Sequence, residues 1–178
     1  DGRDAVKAKV PALRKSLGLD FVVVNAENAA HGFGLKPEMC QEFYEAGVDC
    51  LTTGNHVWDM RDIIPYIDKE PRVLRPSNFA ETAPGRGFHL YQTQTGKRVL
   101  VINTMARLFM HDMTDDAFAS VDKILSRYPL GAEVNAIILD FHGEATSEKT
   151  AMGHFCDGRV SLVVGTHTHV PTADHQIL

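Results

Sequence analysis

The sequence predicts an α/β fold, and two patterns support this prediction. Short runs of β-branched and aliphatic residues alternate with segments whose apolar residues recur at helical spacing. Two further apolar runs, Gly87 to Thr93 and Arg98 to Asn103, flank Thr95-Gly96-Lys97 and predict a β-hairpin, so the sheet is expected to be partly mixed. The length of 178 residues suits one domain with a substantial core and is short for two.

The first predicted element is a helix that ends at Gly18, a typical residue after a helix C-terminus. Its apolar face is formed by Val6, Val10, Leu13 and Leu17. Pro11 lies inside this pattern and predicts a kink or an early first turn. The run from Phe21 to Val24 is typical of a strand buried on both faces.

A second helix and a second strand follow. Pro37 can occupy the first turn of this helix and Gly47 ends it. The apolar face of the helix consists of Met39, Phe43 and Ala46. Val48 to Thr52 predicts the second strand. Asp59 is placed to cap a helix that reaches about Ile67, and that helix is interrupted or started late by Pro65.

The rest of the chain continues the alternation of strands and helices. Arg72 to Pro76 predicts a short extended segment and residues 105–116 predict a loop. A helix follows, capped by Asp116 and carrying Phe118, Val121, Ile124 and Leu125. The last predicted elements are a buried strand over Ala136 to Leu139, a helix from Thr146 to Gly158 and a strand over Val160 to Val164.

Composition and charge restrict the classes of function. Hydrophobic residues make up 44% and charged residues 23% of the chain, as in a soluble globular protein. The net charge of −5 argues against an extended nucleic-acid surface, while it allows a small nucleotide substrate. The apolar runs are too short to span a membrane and the N-terminus has no secretory segment, so we expect a cytoplasmic protein. Cys40, Cys50 and Cys156 are expected to be reduced thiols.

Four predicted strands end in side chains that can bind a metal ion. These ends carry Glu27-Asn28, Asn55-His56, His142, and His167 with His169. Ligands bind outside the carboxyl ends of strands in open α/β sheets, so the four ends are expected to converge. A carboxylate, imidazoles and amides together suit iron, manganese or zinc better than Ca²⁺ or Mg²⁺. The set exceeds what one tetrahedral ion needs, and two ions roughly 3.5–4 Å apart serve phosphoester hydrolysis. Gly54 is expected to give the backbone room beside the site.

Each of these residues also has an ordinary structural explanation. His142 alone would more often be a hydrogen-bonded core residue, and Glu27 can cap the following turn. Asparagine favours turns in any case. The pair His167 and His169 is more specific, because alternate residues of an extended chain point the same way. The joint pattern favours a metal site. His31 is left open, and four histidines are excluded from the site: His89, His111, His154 and His175.

Five polar motifs extend over nearly the whole chain. They are Asn25 to Gly32, Thr53 to Asp59, Asp140 to Lys149, Asp157-Gly158-Arg159, and Gly165 to Val170. In these motifs and their order the chain resembles the YmdB-like metallophosphoesterases, a branch of the calcineurin-like phosphoesterase superfamily. Gly-Asn-His is shared across the superfamily, whereas the pattern from Asp140 to Lys149 is specific to this branch.

The resemblance implies an αββα sandwich of two sheets covered by helices, with a two-metal centre at the strand ends. The implied metal ligands are Glu27 as the bridging carboxylate, Asn28 and His169 for the first ion, and Asn55, His142 and His167 for the second. His56 is implied to be the catalytic acid that protonates the leaving oxygen. The resemblance also implies phosphodiesterase activity on cyclic nucleotides, 2′,3′-cyclic or 3′,5′-cyclic, with iron or manganese as the metal.

The chain departs from the family pattern in three places. The family's opening strand, which ends in Gly-Asp-x-x-Gly and supplies an aspartate to the first metal, is absent, and Asp1 is not assigned that role. The C-terminal strands of the second sheet are absent as well. Ala106 precedes Arg107 where the family usually has Gly. We therefore expect one metallophosphoesterase domain over residues 1–178, truncated at both ends, in which the second metal site is better formed.

The functional hypothesis is a two-metal phosphodiesterase in which a metal-bridging hydroxide attacks phosphorus and His56 protonates the departing ribose oxygen. The expected partner is a small cyclic nucleotide, and we expect neither membrane binding nor an extended nucleic-acid surface. The sequence leaves open whether the protein forms a homo-oligomer. One alternative is a phosphomonoesterase or protein phosphatase, because the same metal clamp serves either ester. The other is a regulatory protein that binds nucleotide or RNA without needing turnover.

Overall fold

The chain forms two β-sheets with helices packed on them, in a computed structural model that describes residues 2–178. Asp1, to which no role is assigned, lies outside the described residues. The helices are α1 (Gly2–Leu17), α2 (Pro37–Glu45), α3 (Ile64–Ile67), α4 (Ala117–Leu125) and α5 (Thr146–Phe155), with a 3-10 turn at Arg61–Ile63. None of the helices within residues 2–178 combines the length and the apolar character that crossing a membrane requires.

The first sheet is parallel and the second is mixed. The strands are β1 (Val23–Asn25), β2 (Cys50–Thr52), β3 (Val73–Leu74), β4 (Phe88–Gln92), β5 (Arg98–Met105), β6 (Ala136–Gly143) and β7 (Leu162–His167). The first sheet has the order β1-β2-β3, and the second has the order β4-β5-β6-β7. Strands β4 and β5 pair antiparallel, while β5, β6 and β7 pair parallel. The predicted hairpin and the partly mixed sheet are confirmed.

Apolar side chains fill three layers. One cluster joins α1 and α2 to the first sheet, and a second joins α4 and α5 to the second sheet. Between the sheets lies a smaller cluster around Cys50, Leu74, Val99 and Val101. The predicted α/β sandwich of two sheets covered by helices is therefore confirmed. Cys40, Cys50 and Cys156 are free and buried.

Three predicted helix ends agree with the structure. The Asp116 carboxylate accepts a hydrogen bond of 2.9 Å from the backbone N–H of Ala119 at the start of α4. Pro37 is the first residue of α2. Gly18 has a φ of 62°, and the N–H of Leu19 donates to the Arg14 carbonyl oxygen over 3.0 Å. A left-handed residue with this bond closes a helix C-terminus, so glycine suits the position.

The first helix and strand differ from the prediction in burial. Pro11 lies in the middle of a continuous α1, not in its first turn. Of the predicted apolar face only Val10 is buried, while Leu13 and Leu17 are 45% and 66% exposed. The reason is that α1 packs on the core through its N-terminal half. The residues of β1 are half-buried, not fully buried, because β1 is an edge strand that pairs only with β2 in the described sheet.

Two strands of the second sheet reach further than predicted. Strand β6 continues past Leu139 to Gly143, and β7 continues past Val164 to His167. Helix α5 ends at Phe155, before the predicted end at Gly158. His142 therefore lies within a paired strand, which fixes the direction of its side chain.

Candidate metal centre

Side chains from four strand ends meet between the two sheets. Nε2 of His142 lies 3.0 Å from Oε1 of Glu27, 2.9 Å from Oδ1 of Asn55 and 3.2 Å from Nδ1 of His167. We call these four residues the His142 cluster. Glu27 follows β1, Asn55 follows β2, His142 lies in β6 and His167 is the last residue of β7. The predicted convergence of these residues is present in the structure.

The centre of the His142 cluster is buried. Glu27 is 1% exposed and His142 is fully buried. Burial raises the pKa of the Glu27 carboxyl, but the hydrogen bond and charge of His142, with the backbone N–H of His56 at 3.2 Å, bring that pKa below its usual value. Burial and the neighbouring His142 lower the pKa of His167. The neutral imidazole that this favours is the form that binds metal.

The atoms of the His142 cluster fit a cation. One ligand atom from each of Glu27, His142 and His167 lies within 4.8 Å of the others, and Asn55 adds an amide oxygen. A carboxylate, two imidazole nitrogens and an amide oxygen form a mixed N/O set that suits manganese, iron or zinc. These are the residues predicted for the second ion and the bridging position.

A second ligand pair lies beside this cluster. Nε2 of His169 is 3.1 Å from Oδ1 of Asn28, and Nδ2 of Asn28 donates to the Gly32 carbonyl oxygen over 2.7 Å. The amide nitrogen is engaged in the loop, so Asn28 presents its oxygen toward His169. Asn28, His169 and Glu27 line a common cleft of about 360 Å³. The structure thus brings the residues predicted for the first ion next to the proposed bridging carboxylate.

The expectation that His167 and His169 point the same way from an extended chain is wrong. Both have positive φ, at 97° and 53°, so the chain is not extended there. Their side chains diverge instead: His167 contacts His142, while His169 contacts Asn28. The two histidines therefore belong to different groups of side chains.

His56 contacts the cluster through its backbone, and its ring contacts Asp59 and Phe33. Its N–H donates to Oε2 of Glu27, and its Nδ1 lies 2.7 Å from Oδ2 of Asp59. The predicted helix cap by Asp59 is therefore wrong, because this carboxylate bonds to the imidazole and the 3-10 turn begins after Met60. A carboxylate can only accept here, so it holds the His56 proton on Nδ1 and orients the ring. The spacing of three residues between His56 and Asp59 is the feature of the sequence from which this contact could have been predicted.

Gly54 makes room for the cluster. A Cβ atom at this position would collide with Nε2 and Cδ2 of His142 and with Oε2 of Glu27. The expected close approach of backbone to the site is confirmed. Any side chain at position 54 would occupy the space where the ligand atoms meet.

The structure also places residues near the site that sequence reasoning left unassigned. Oγ1 of Thr166 is 2.9 Å from Nδ1 of His142, and Oε2 of Glu144 is 3.3 Å from Nε2 of His167. Nζ of Lys149 reaches Oγ1 of Thr168 at 3.4 Å. Of these, Thr166 could have been found by its position one residue before a predicted ligand.

The other histidines stay apart from this cluster within the described residues. His31 lies in a turn with a φ of 57° and lines a separate cleft with Asn28, so it is not a member of the His142 cluster. The ring of His89 packs edge-on against Tyr91 in the hairpin. The remaining excluded histidines are His111, His154 and His175.

The fold and the site define a two-sheet α/β protein of the metallophosphoesterase type. A family model described as YmdB-like protein matches residues 1–178, and the chain belongs to this family. The family resemblance seen in the motifs is thereby confirmed.

Curated relatives and solved structures agree with this membership. The chain is 45% identical over 177 residues to a protein of Bacillus subtilis (strain 168) named 2′,3′-cyclic-nucleotide 2′-phosphodiesterase. It is 34% identical over 181 residues to a putative phosphatase/phosphodiesterase of Mycoplasma pneumoniae. These alignments cover 99% of the chain but only 66% and 63% of the relatives, so the chain spans about two thirds of their length.

Two crystal structures share the fold. A hypothetical protein from Thermus thermophilus superposes with a TM-score of 0.90 at 40% identity, covering 99% of this chain and 67% of that one. A protein from Mycoplasma pneumoniae described as a novel phosphatase superposes with a TM-score of 0.88 at 31% identity, covering 99% and 63%.

Proposed function

We propose that the chain is a metal-dependent phosphodiesterase that hydrolyses cyclic nucleotides, with 2′,3′-cyclic nucleotides as the first candidates and 3′,5′-cyclic ones as the second. One observation carries this proposal: Glu27, Asn55 and His167 converge on Nε2 of His142 at 2.9–3.2 Å. The 45% identity to a protein named 2′,3′-cyclic-nucleotide 2′-phosphodiesterase supports the choice of substrate. We also propose that residues 1–178 act as one domain.

The proposed metal ligands are those of the two groups described above. Glu27 would be shared by both ions, Asn28 and His169 would hold the first, and Asn55, His142 and His167 would hold the second. Iron or manganese is the proposed metal. Such a pair of ions, when bound, supplies a water-derived nucleophile and neutralises the phosphoryl oxygens. The carboxylate and the imidazoles of the chain set the charge and shape of the site for these ions.

His56 is the proposed general acid. Asp59 accepts the proton on Nδ1, so Nε2 of the imidazolium form is the atom that can give a proton to the departing ribose oxygen. Water adds to phosphorus as the bond to that oxygen breaks. For a 2′,3′-cyclic substrate opened at the 2′ ester, the product is a nucleoside 3′-phosphate.

An exposed aromatic side chain beside His56 supports a substrate that carries a base. Phe33 is 58% exposed, and its ring meets the His56 ring edge-on with centroids 5.0 Å apart. A flat base can pack on such an aromatic surface at the mouth of the site. A phosphate ester without an aromatic part would leave Phe33 uncovered.

A phosphomonoesterase is the second candidate function, because the two Mycoplasma pneumoniae proteins are described as a putative phosphatase/phosphodiesterase and as a novel phosphatase. The test is an assay of the manganese-loaded chain on 2′,3′-cyclic AMP, with bis-p-nitrophenyl phosphate and p-nitrophenyl phosphate side by side. We expect turnover of the cyclic nucleotide and preference for the diester. Hydrolysis of the monoester alone would favour the phosphomonoesterase. Nucleotide binding with no hydrolysis of any of the three would favour the regulatory alternative.

A further inference from the structure

Asp140 is a buried carboxylate that the proposed chemistry does not use. It lies on β6 between the two sheets and is 4% exposed. Nδ2 of Asn25 and the hydroxyl of Thr52 donate to its Oδ2 over 3.0 and 2.5 Å. The Thr166 hydroxyl donates to its Oδ1 over 2.6 Å. Side chains from β1, β2 and β7 thus all donate hydrogen bonds to one carboxylate. This arrangement holds the Asp140 carboxylate in a fixed position.

Thr166 connects this carboxylate to the His142 cluster. In the parallel pairing of β6 and β7, Thr166 stands opposite His142, and Asp140 shares the face of β6 that carries His142. Oγ1 of Thr166 is 2.9 Å from Nδ1 of His142. A hydroxyl has a single proton, which Thr166 donates to Asp140, so its bond to Nδ1 must be one that it accepts.

We propose that Asp140 acts through Thr166 as a positioning device that fixes the proton of His142 on Nδ1 and leaves Nε2 free to bind the second metal ion. The inference rests on the proposed metal centre, since it concerns one of its ligands. One ring nitrogen of a metal-binding histidine binds the ion and the other carries the N–H. The group that accepts this N–H sets the tautomer and the orientation of the ring. Here the acceptor is the hydroxyl of Thr166 on the neighbouring strand, and the Asp140 carboxylate orients that hydroxyl.

Loss of the Thr166 hydroxyl should favour the tautomer of His142 that carries its proton on Nε2. With no acceptor at Nδ1, the His142 proton can move to Nε2, where the Glu27 carboxylate oxygen at 3.0 Å would accept it. That proton occupies the nitrogen that the metal needs. We expect Thr166→Val to weaken Mn²⁺ binding by about 10- to 100-fold, the range typical for loss of an outer partner of a metal ligand.

The experiment measures Mn²⁺ affinity of the full chain by isothermal titration calorimetry for wild type and three variants. Thr166→Val removes the hydroxyl, and Thr166→Ser keeps it. Thr104→Val is the matched control: Thr104 is fully buried on the adjacent strand β5, and its hydroxyl lies 2.7 Å from that of Ser77, away from His142. We expect a loss of affinity in Thr166→Val, rescue in Thr166→Ser and wild-type affinity in Thr104→Val.

The outcomes separate this inference from the proposed function. Wild type that binds no Mn²⁺ would defeat the metal centre itself. Wild-type affinity in Thr166→Val, or an equal loss in Thr104→Val, would defeat the positioning role alone. Nitrogen-15 NMR of the histidines in metal-free wild type gives an independent readout: a proton on Nδ1 of His142 is expected, and an unprotonated Nδ1 would overturn the inference.

Discussion

Glu27 follows a strand of the first sheet and His142 lies in a strand of the second, yet Nε2 of His142 and Oε1 of Glu27 are only 3.0 Å apart. Both side chains are buried, and the contact exists only when the two sheets are packed together. A buried carboxylate is costly unless it is paired. An ion held by both residues would therefore link metal binding to the packing of the sheets.

Replacement of Gly54 by alanine should disrupt the metal centre. The added Cβ would collide with the side chains of His142 and Glu27, both of which are buried. We expect Gly54→Ala to lose bound Mn²⁺, measured by metal analysis after gel filtration. Gly153→Ala is the matched control, because the nearest atom to a Cβ there is 3.8 Å away on Leu178. Full metal content in Gly54→Ala would show that the site tolerates a displaced backbone.

Replacement of His56 by alanine should lower turnover while metal content stays unchanged. A general acid accelerates departure of a poor leaving group by about 10²–10⁴-fold. We expect a loss in that range on 2′,3′-cyclic AMP and a smaller loss on bis-p-nitrophenyl phosphate, whose leaving group needs less protonation. His154→Ala, on the exposed side of α5, serves as control. Undiminished activity of His56→Ala on the cyclic nucleotide would refute the assignment of the acid.

Asp59→Asn tests the partner of His56. The carboxylate lies 2.7 Å from Nδ1 and holds the ring in its orientation, and an amide at this position can also donate and so favour the wrong tautomer. Turnover on 2′,3′-cyclic AMP is expected to fall between that of wild type and that of His56→Ala, with KM little changed. Steady-state kinetics of the three proteins measure this order. A wild-type kcat in Asp59→Asn would show that Asp59 does not orient His56 for catalysis.

Glu70 should make folding stability depend on pH at acidic values. Burial raises the pKa of its carboxyl, but hydrogen bonds from the Arg72 side chain and N–H bring the pKa below its usual value. Because the pKa is lower in the folded protein, the Glu70 contribution is present above the unfolded pKa and is lost as pH falls through the folded one. Partial exposure of Arg72 keeps the effect small.

Urea unfolding of wild type and Glu70→Gln at about pH 7 and about pH 3 measures this dependence. The difference in unfolding free energy between the two proteins should shrink at the lower pH. Glu81→Gln, at an exposed glutamate, controls for a general effect of charge. A difference that stays constant with pH would mean that the Glu70–Arg72 pair adds nothing specific to the folded state.

The sequence predicts the alternation of strands and helices well because that information is local. Runs such as Ala136 to Leu139 and the capping aspartate Asp116 depend on near neighbours, and both are found where predicted. The burial of α1 depends on what packs against it, so the exposure of Leu13 and Leu17 could not be predicted from periodicity.

The site residues follow predicted strands, and the family resemblance implies their grouping, but the contacts of Asp140 behind them were not predicted. Asp140 meets Asn25 and Thr52 across 115 and 88 residues of sequence, which no spacing rule reveals. The positive φ values of His167 and His169, which send the two rings apart, are likewise set by the folded environment. Tertiary contacts thus determine the direction of each of these side chains.

Comparison of the metal content of purified wild type and Glu27→Ala gives the sharpest test of the proposed metal centre. After loading with Mn²⁺ and gel filtration, we expect one or two ions per chain in wild type and a marked loss in Glu27→Ala, because the carboxylate between the two ligand groups is gone. Glu81→Ala should retain the wild-type content. Wild type without bound ion would rule out the metal centre, and Glu27→Ala with the full wild-type content would rule out the role of Glu27 in it.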